Sequence, residues 1–305
     1  MKQIAYSLIP PALALLTAPL FLSVINKVKA VFAGRTGPPV LQPYHDILKL
    51  LRKGAIYSRT TTWVFKAGPI LGITSTLAAL LMLPMGSSPA LLAFPGDFVL
   101  LAYLFGLARF FTVIAALDTG SAFEGMGASR EVTFSALAEP ALFLCMAALA
   151  RLSGSTSLSG IFSALTGHAW RSSGPVLLLV GVALFVILLA ENARMPVDDP
   201  NTHLELTMVH EVMVLDHSGP ELGVIMYGST LKLWIMTAIL TGVLIPVHGG
   251  HFFPDLVIAL FGMVGIYMII GAVESSMARL RLLRVPQFLV GAAGLAAIAL
   301  ILVLR

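Results

Sequence analysis

Runs of about twenty apolar residues, broken by short charged connectors, recur along the whole chain and leave it few folds to choose from. A hydrocarbon core of about 30 Å is crossed by a helix of roughly 20 such residues. The runs lie at about 4–26, 69–86, 95–117, 131–152, 174–193, 227–247, 254–276 and 285–304. In lipid every backbone N–H and C=O must be satisfied within its own segment, so these runs are expected to be helices. Of the 305 residues, 58% are hydrophobic and 11% charged. Soluble domains carry about 25% charged residues, so water is not this chain's main solvent. The expected fold is an all-α integral membrane protein, a bundle of about eight transmembrane helices forming one domain over 1–305. The first run, "YSLIPPALALLTAPLFLSVI", has no small-residue cleavage site after it and is expected to stay attached.

Charge sorts the connectors. Segment 27–68 holds Lys27, Lys29, Arg35, Lys49, Arg52, Lys53, Arg59 and Lys66, and segment 277–284 holds Arg279, Arg281 and Arg284. The positive-inside rule puts both in the cytoplasm, and with eight spans both termini then lie outside. The same count puts 118–130 and 194–226 on the cytoplasmic side of an inner membrane. The formal charge of +4 is thus a membrane signature and not a sign of nucleic-acid binding. Within the first connector, Tyr44, Ile47, Leu48 and Leu51 recur at helical spacing behind Pro43, with Asp46, Lys49, Arg52 and Lys53 on the other sides. This predicts a short amphipathic surface helix over about 43–53.

The segment "LLAENARMPVDDPNTHLELTMVHEVMVLDHSGPEL" (188–222) breaks the usual bias. Seven of the 15 acidic residues fall between Glu191 and Glu221, against the single Arg194. Met195-Pro196 and Asp199-Pro200 stop the preceding helix, and Asn201 or Thr202 can cap a new one with Leu204, Met208 and Val212 on one face. His203, His210 and His217 recur every seven residues, a wider spacing than the i, i+4 pair that closes a metal site. The stripe of His and Glu reads as a face toward a wet cavity or a partner.

Charges at depth cost roughly 2.5–3.5 kcal/mol each at a helix centre and usually face protein or water. Arg109, Glu131, Glu139, Glu191, Lys232 and Glu274 are such residues. Four of them have a plainer reading: Glu131 at a helix N-terminus, Glu274 in the interface, Lys232 snorkelling to the cytoplasmic surface, and Glu191 paired with Arg194. Glu139, well inside its span and followed by Pro140, has the least obvious structural excuse.

Several chemistries are excluded for the chain alone. Its single cysteine, Cys145, can form neither an internal disulfide nor a thiolate-ligated cluster. No mid-span histidine pair suits a bis-His haem, and "GMG" in "FEGMGASRE" lacks the third glycine and the strand of a dinucleotide fingerprint. The chain by itself is therefore not expected to carry electrons or catalyse a reaction.

Four stretches in order, "GRTGPPVLQPYHDILKLLRK" (34–53), "LARFFTVIAALDTGSAFEGMGASREVTFSALAEP" (107–140), the acidic connector and "ESSMARLRL" (274–282), resemble the quinone-cavity membrane subunit of respiratory complex I. They are more similar still to its homologue in membrane-bound nickel–iron hydrogenases of the formate hydrogenlyase and hydrogenase-4 type. The family pattern falls on Gly37, Pro38, Leu41, Gln42, Pro43, Asp46 and Lys49 in the surface helix. The resemblance implies cytoplasmic loops docked on a small iron–sulfur subunit and a large hydrogenase-like subunit, with antiporter-like membrane subunits alongside. Iron–sulfur clusters and the nickel–iron centre then belong to partners, this chain holds no cofactor, and a quinone stays open as a ligand.

By the same resemblance, proton or ion relay candidates are Glu131, Glu139, Glu191, Asp198, His203, Glu205, His210, Lys232 and Glu274. Candidates for partner docking or cavity lining are Arg35, Gln42, Asp46, Lys49, Arg109, Asp118, Arg130, Arg194 and Asp199. One departure favours the hydrogenase branch. Where the complex I subunit has E-x-E-x-E-L, this chain has Asn201, His203 and Glu205, and histidine titrates near neutral pH. The expected function is a membrane anchor that couples redox chemistry in its partners to proton or sodium movement. The alternatives are a quinone-cavity subunit of a complex I type enzyme, a stand-alone secondary transporter, and a docking anchor whose charges serve packing only.

Overall fold

The computed structural model describes residues 2–198, 209–246 and 250–305. Its long helices are α1 (Lys2–Phe32), α3 (Trp63–Leu81), α4 (Asp97–Asp118), α5 (Ala122–Ser153), α7 (Gly167–Glu191), α8 (Gly219–Leu244), α9 (Phe252–Ser276) and α10 (Val285–Leu304). Each of these eight is long and apolar enough to cross a bilayer. Short helices α2 (Gln42–Leu51) and α6 (Leu158–Ala164) lie between them. No strand occurs among the described residues, and the protein is an all-α, multi-pass membrane protein. In all but one span fewer than half the residues are buried, and side chains such as Phe261 (73% exposed) point away from the bundle. That much outward apolar surface is a liability in water and the natural face toward lipid.

Four connectors gather at one end of the bundle. Ser218 Oγ accepts the Ile56 N–H at 3.1 Å, Thr62 N–H reaches Asp118 at 2.6 Å, and Leu280 N–H reaches the Pro196 carbonyl at 2.9 Å. At the opposite end Gly96 N–H bonds the Thr156 carbonyl at 2.9 Å, and Tyr6 stacks on Phe252. The basic first connector, the 277–284 segment and the acidic connector therefore share one end.

Several helices run past the ends that composition suggests. α1 continues through Lys27 and Lys29 to Phe32, and α5 starts at Ala122 rather than near 131. A charge within these turns reads as a helix end in sequence but is tolerated where another chain segment neutralises it. α7 joins a short piece from Gly167 to the expected span across a kink at Ser173. In the acidic connector a 3-10 turn, Glu211–Val214, stands where a longer amphipathic helix was expected. Asn201, Thr202, Leu204 and Met208 of that expected helix lie outside the described residues.

Packing fixes the neighbours of the cavity end. α3 packs on α4 and α8, α4 on α5, α5 on α7 and α10, and α1 on α9. Trp234 and Phe65 are fully buried within the bundle. Gly127 of α5 permits the acidic connector to touch the helix: a Cβ there would lie 2.9 Å from the Val209 carbonyl oxygen. Pro19 in α1 lacks the N–H that would pair with the Leu15 carbonyl. The Tyr227 hydroxyl of α8 donates to that carbonyl instead, at 2.8 Å, as lipid requires of a freed backbone group. The Tyr44 hydroxyl of α2 donates to the adjacent Leu16 carbonyl. α2 rests on α8 through buried Ile47, with Leu48 and Leu51 exposed.

Candidate functional site

A guanidinium at depth is tolerable only when its nitrogens are engaged. Arg109, inside α4 with a side chain 8% exposed, hydrogen-bonds through two of them and sets the third beside a carboxylate as an ion pair without a hydrogen bond. Its Nε lies 3.2 Å from Glu131 Oε1, its Nη1 pairs with Glu139 and its Nη2 pairs with Glu191. Glu131 and Glu139 stand about two turns, roughly 12 Å, apart on α5, so their side chains must reach toward each other along the helix to meet one guanidinium. Glu191, the last residue of α7, also receives Lys232 of α8: Nζ lies 2.8 Å from its carboxylate and 2.6 Å from its backbone carbonyl. An acidic residue at a helix C-terminus opposes the dipole. Lys232 supplies the compensating charge at that place, so it turns inward and does not snorkel. Three carboxylates thus face two cations.

Beside this cluster lies a cavity of about 100 Å³, lined by Arg109, Glu131, Glu191, Lys232 and His210, with Pro69, Ile73, Phe105 and Met213 as its apolar wall. A second cavity of about 360 Å³ on the connector side shares Asn192, His210, His217 and Ser229 with it. The His217 ring stacks on Phe65 with centroids 3.9 Å apart, and its Nδ1 lies 3.2 Å from Glu221 Oε2. Burial lowers the pKa of both imidazoles below the ordinary value; for His217 the Glu221 carboxylate opposes this. At His210 the nearby Lys232 and Arg109 push the same way, while Glu131 and Asp198 pull it up.

A second ionic group flanks the first. Glu274 of α9, with its side chain fully buried, meets Lys29 of α1 at 2.9 Å and Arg194 at 3.3 Å. Arg194 was the sequence neighbour expected to pair with Glu191; it reaches across to α9 because Glu191 is already taken by Arg109 and Lys232. Glu274 is accordingly an internal ion and not an interfacial one. Asp198, 2% exposed, accepts the N–H groups of Val209 (3.0 Å) and His210 (3.2 Å) and pairs with Arg279 at 2.7 Å.

The other candidates fall elsewhere. Asp118 takes the Thr62 N–H and hydroxyl and so anchors the start of α3. Gln42 donates to Asp46 at 2.8 Å within α2. Arg35 and Lys49 are exposed at the connector end, and Arg130 is half-buried on α5. Asp199, His203 and Glu205 lie outside the described residues. Among the described residues no three His, Cys, Asp or Glu side chains gather as metal ligands would.

Three participants went unmarked in the sequence. Lys29 and Arg279 counted only as connector charges, although both lie at or beside the matching stretch 274–282 or its partner helix. Glu124, buried on α5, accepts the Asp216 N–H at 3.0 Å; its place before "GMG" carries no signal for that role.

Comparison with known proteins agrees over the full length. The chain is 34% identical to formate hydrogenlyase subunit 4 of Escherichia coli (strain K12), covering 98% of each. It is 30% identical to hydrogenase-4 component C of the same organism, over 92% of this chain and 89% of that one. A chain in the structure of the membrane-bound sulfane sulfur reductase, an archaeal respiratory membrane complex, shares the fold with a TM-score of 0.83. That match has 23% identity and covers 99% of this chain and 100% of the other. The family model described as NADH dehydrogenase matches residues 5–305, and the chain belongs to that family.

Proposed function

We propose that this chain is the membrane-anchoring and coupling subunit of a membrane-bound hydrogenase complex of the formate hydrogenlyase or hydrogenase-4 type. It sits in the cytoplasmic membrane with both termini outside and its connector end toward the cytoplasm. There it docks a small iron–sulfur subunit and a large nickel–iron subunit, and it adjoins antiporter-like membrane subunits. The reading is carried by one observation: three carboxylates share two cations at depth, which leaves one negative charge for a proton or a sodium ion to neutralise. Such a group changes its ion occupancy when the charge nearby changes. Glu139, with a side chain 41% exposed on the flank of the bundle, offers the cluster an outlet toward a neighbouring membrane chain. His210 and the acidic connector offer the opposite end toward the redox partners.

Purification of the tagged chain from its native membranes tests this. Co-purifying nickel and iron in fixed ratio with hydrogen evolution supports the reading. A chain that purifies alone and moves a substrate in vesicles supports the transporter reading and overturns this one. A second reading keeps the family and changes the chemistry: a quinone-cavity subunit, favoured by the apolar wall of Pro69, Ile73 and Phe105 facing His210. Loss of activity with quinone-site inhibitors would select it.

A further inference from the structure

The acidic connector leaves α7 and is met at once by the segment that follows α9. Arg194 pairs with Glu274, the Pro196 carbonyl accepts the Leu280 N–H, and Asp198 pairs with Arg279 at 2.7 Å. The other carboxylate oxygen of Asp198 accepts the N–H groups of Val209 and His210. One buried carboxylate therefore holds together residues 198 and 209–210, eleven or so positions apart, and one guanidinium from another element holds that carboxylate. Arg279 itself keeps a side chain only 18% exposed. A neutral side chain at 279 would leave the Asp198 charge buried without this cation, a costly state that a shift of the connector relieves.

What the clasp holds in place is His210. Its ring borders both cavities. The charged groups around it are Arg109 from α4, Glu131 from α5, Lys232 from α8 and Asp198 from the connector, with Glu191 of α7 lining the same cavity. We propose that Arg279 is a positioning residue: acting through Asp198, it holds the His210 ring at the edge of the Arg109 cluster, where that ring can exchange protons with the cluster carboxylates. This rests on the coupling role proposed above and adds to it a specific gate between connector and cluster. A displaced ring would be better solvated and further from the cations of Arg109 and Lys232, so it would take up a proton at higher pH.

Histidine C2–H exchange, followed by mass spectrometry of the purified whole complex across pH, reads the ionisation and access of His210 without relying on turnover. In the parent complex His210 is expected to ionise below the ordinary histidine range and to exchange slowly. In R279M its midpoint should rise toward the ordinary histidine range, and R279K should restore the parent behaviour at least in part. Ion uptake per hydrogen evolved should show the same alkaline shift in R279M, and H210Q should abolish it, with R279M/H210Q no different from H210Q. An R279M complex with unchanged His210 exchange overturns the positioning role. A shift in uptake that persists in the H210Q background overturns the route through His210. Should R279M fail to assemble, D198N is the second variant, and unchanged His210 exchange in it is equally fatal. A parent complex that takes up no ions at all refutes the coupling reading and leaves the exchange measurement to decide the positioning role by itself.

Discussion

Glu191→Gln removes the carboxylate that Arg109 and Lys232 share, and the structure says where the cost falls. Arg109 keeps Glu131 at 3.2 Å and Glu139, so its loss is partial. Among the described residues Lys232 keeps the residue 191 carbonyl at 2.6 Å and the Phe105 ring at 5.8 Å, beside the neutral Gln amide, with a side chain 17% exposed. Removing one partner of a buried pair costs about 3–5 kcal/mol, chiefly because the other charge is stranded. The lower end, about 3 kcal/mol, applies here because the amide of Gln can still accept one hydrogen bond. Lys232→Met should cost about as much, stranding excess negative charge instead. The double variant strands neither, so it should recover about 2 kcal/mol of the summed single losses. Unfolding of the purified complex in mixed micelles, titrated with a denaturing detergent, measures all three. Single losses that add fully in the double variant would refute the claim that these two residues form one buried pair.

Other outcomes follow from the same geometry. Asp118→Asn weakens the acceptor for the Thr62 N–H at the start of α3 and should cost about 1 kcal/mol, with ion uptake per hydrogen unchanged; an altered uptake ratio would contradict its purely anchoring place. Tyr227→Phe leaves the Leu15 carbonyl freed by Pro19 without its hydroxyl donor and should cost about 1–2 kcal/mol in the same unfolding assay; no change would show that another donor serves. His210 and His217 are held below the ordinary histidine value of 6.5 by burial. The unfolded chain therefore binds more protons as pH falls through about 6.5, and stability is full above that value and lost below it. Thermal midpoints should drop between pH 7.5 and 5.5, less so in His217→Asn; a flat profile in the parent would refute the burial of these rings.

The membrane-spanning architecture was legible because lipid dictates it. A run of twenty apolar residues has no other stable use, and each expected run falls on one long helix. Helix ends were less legible where charge enters a helix that continues. Lys29 lies within α1 and Glu131 within α5, and each looks like a terminus until Glu274 and Arg109 are seen beside it. Ionic partners were the least legible. Arg194 is three residues from Glu191 in sequence, yet it pairs with Glu274 eighty positions away. Sequence spacing reports neighbours along one helix, whereas at depth the nearest opposite charge is set by how helices pack. Arg109 was visible as a costly residue, but nothing in the spacing marks it as the centre on which α4, α5 and α7 converge. From Val209 on, the connector departs from the expected helix for a related reason: the N–H groups of Val209, His210 and Asp216 are spent on Asp198 and Glu124.

The most direct test is ion uptake by inverted membrane vesicles, normalised to hydrogen evolved from an artificial electron donor, in parent, Glu139→Gln and Glu191→Gln complexes. Hydrogen evolution should persist in both variants while the uptake ratio falls. Parent-level uptake in both, with the clusters so altered, would contradict the coupling role.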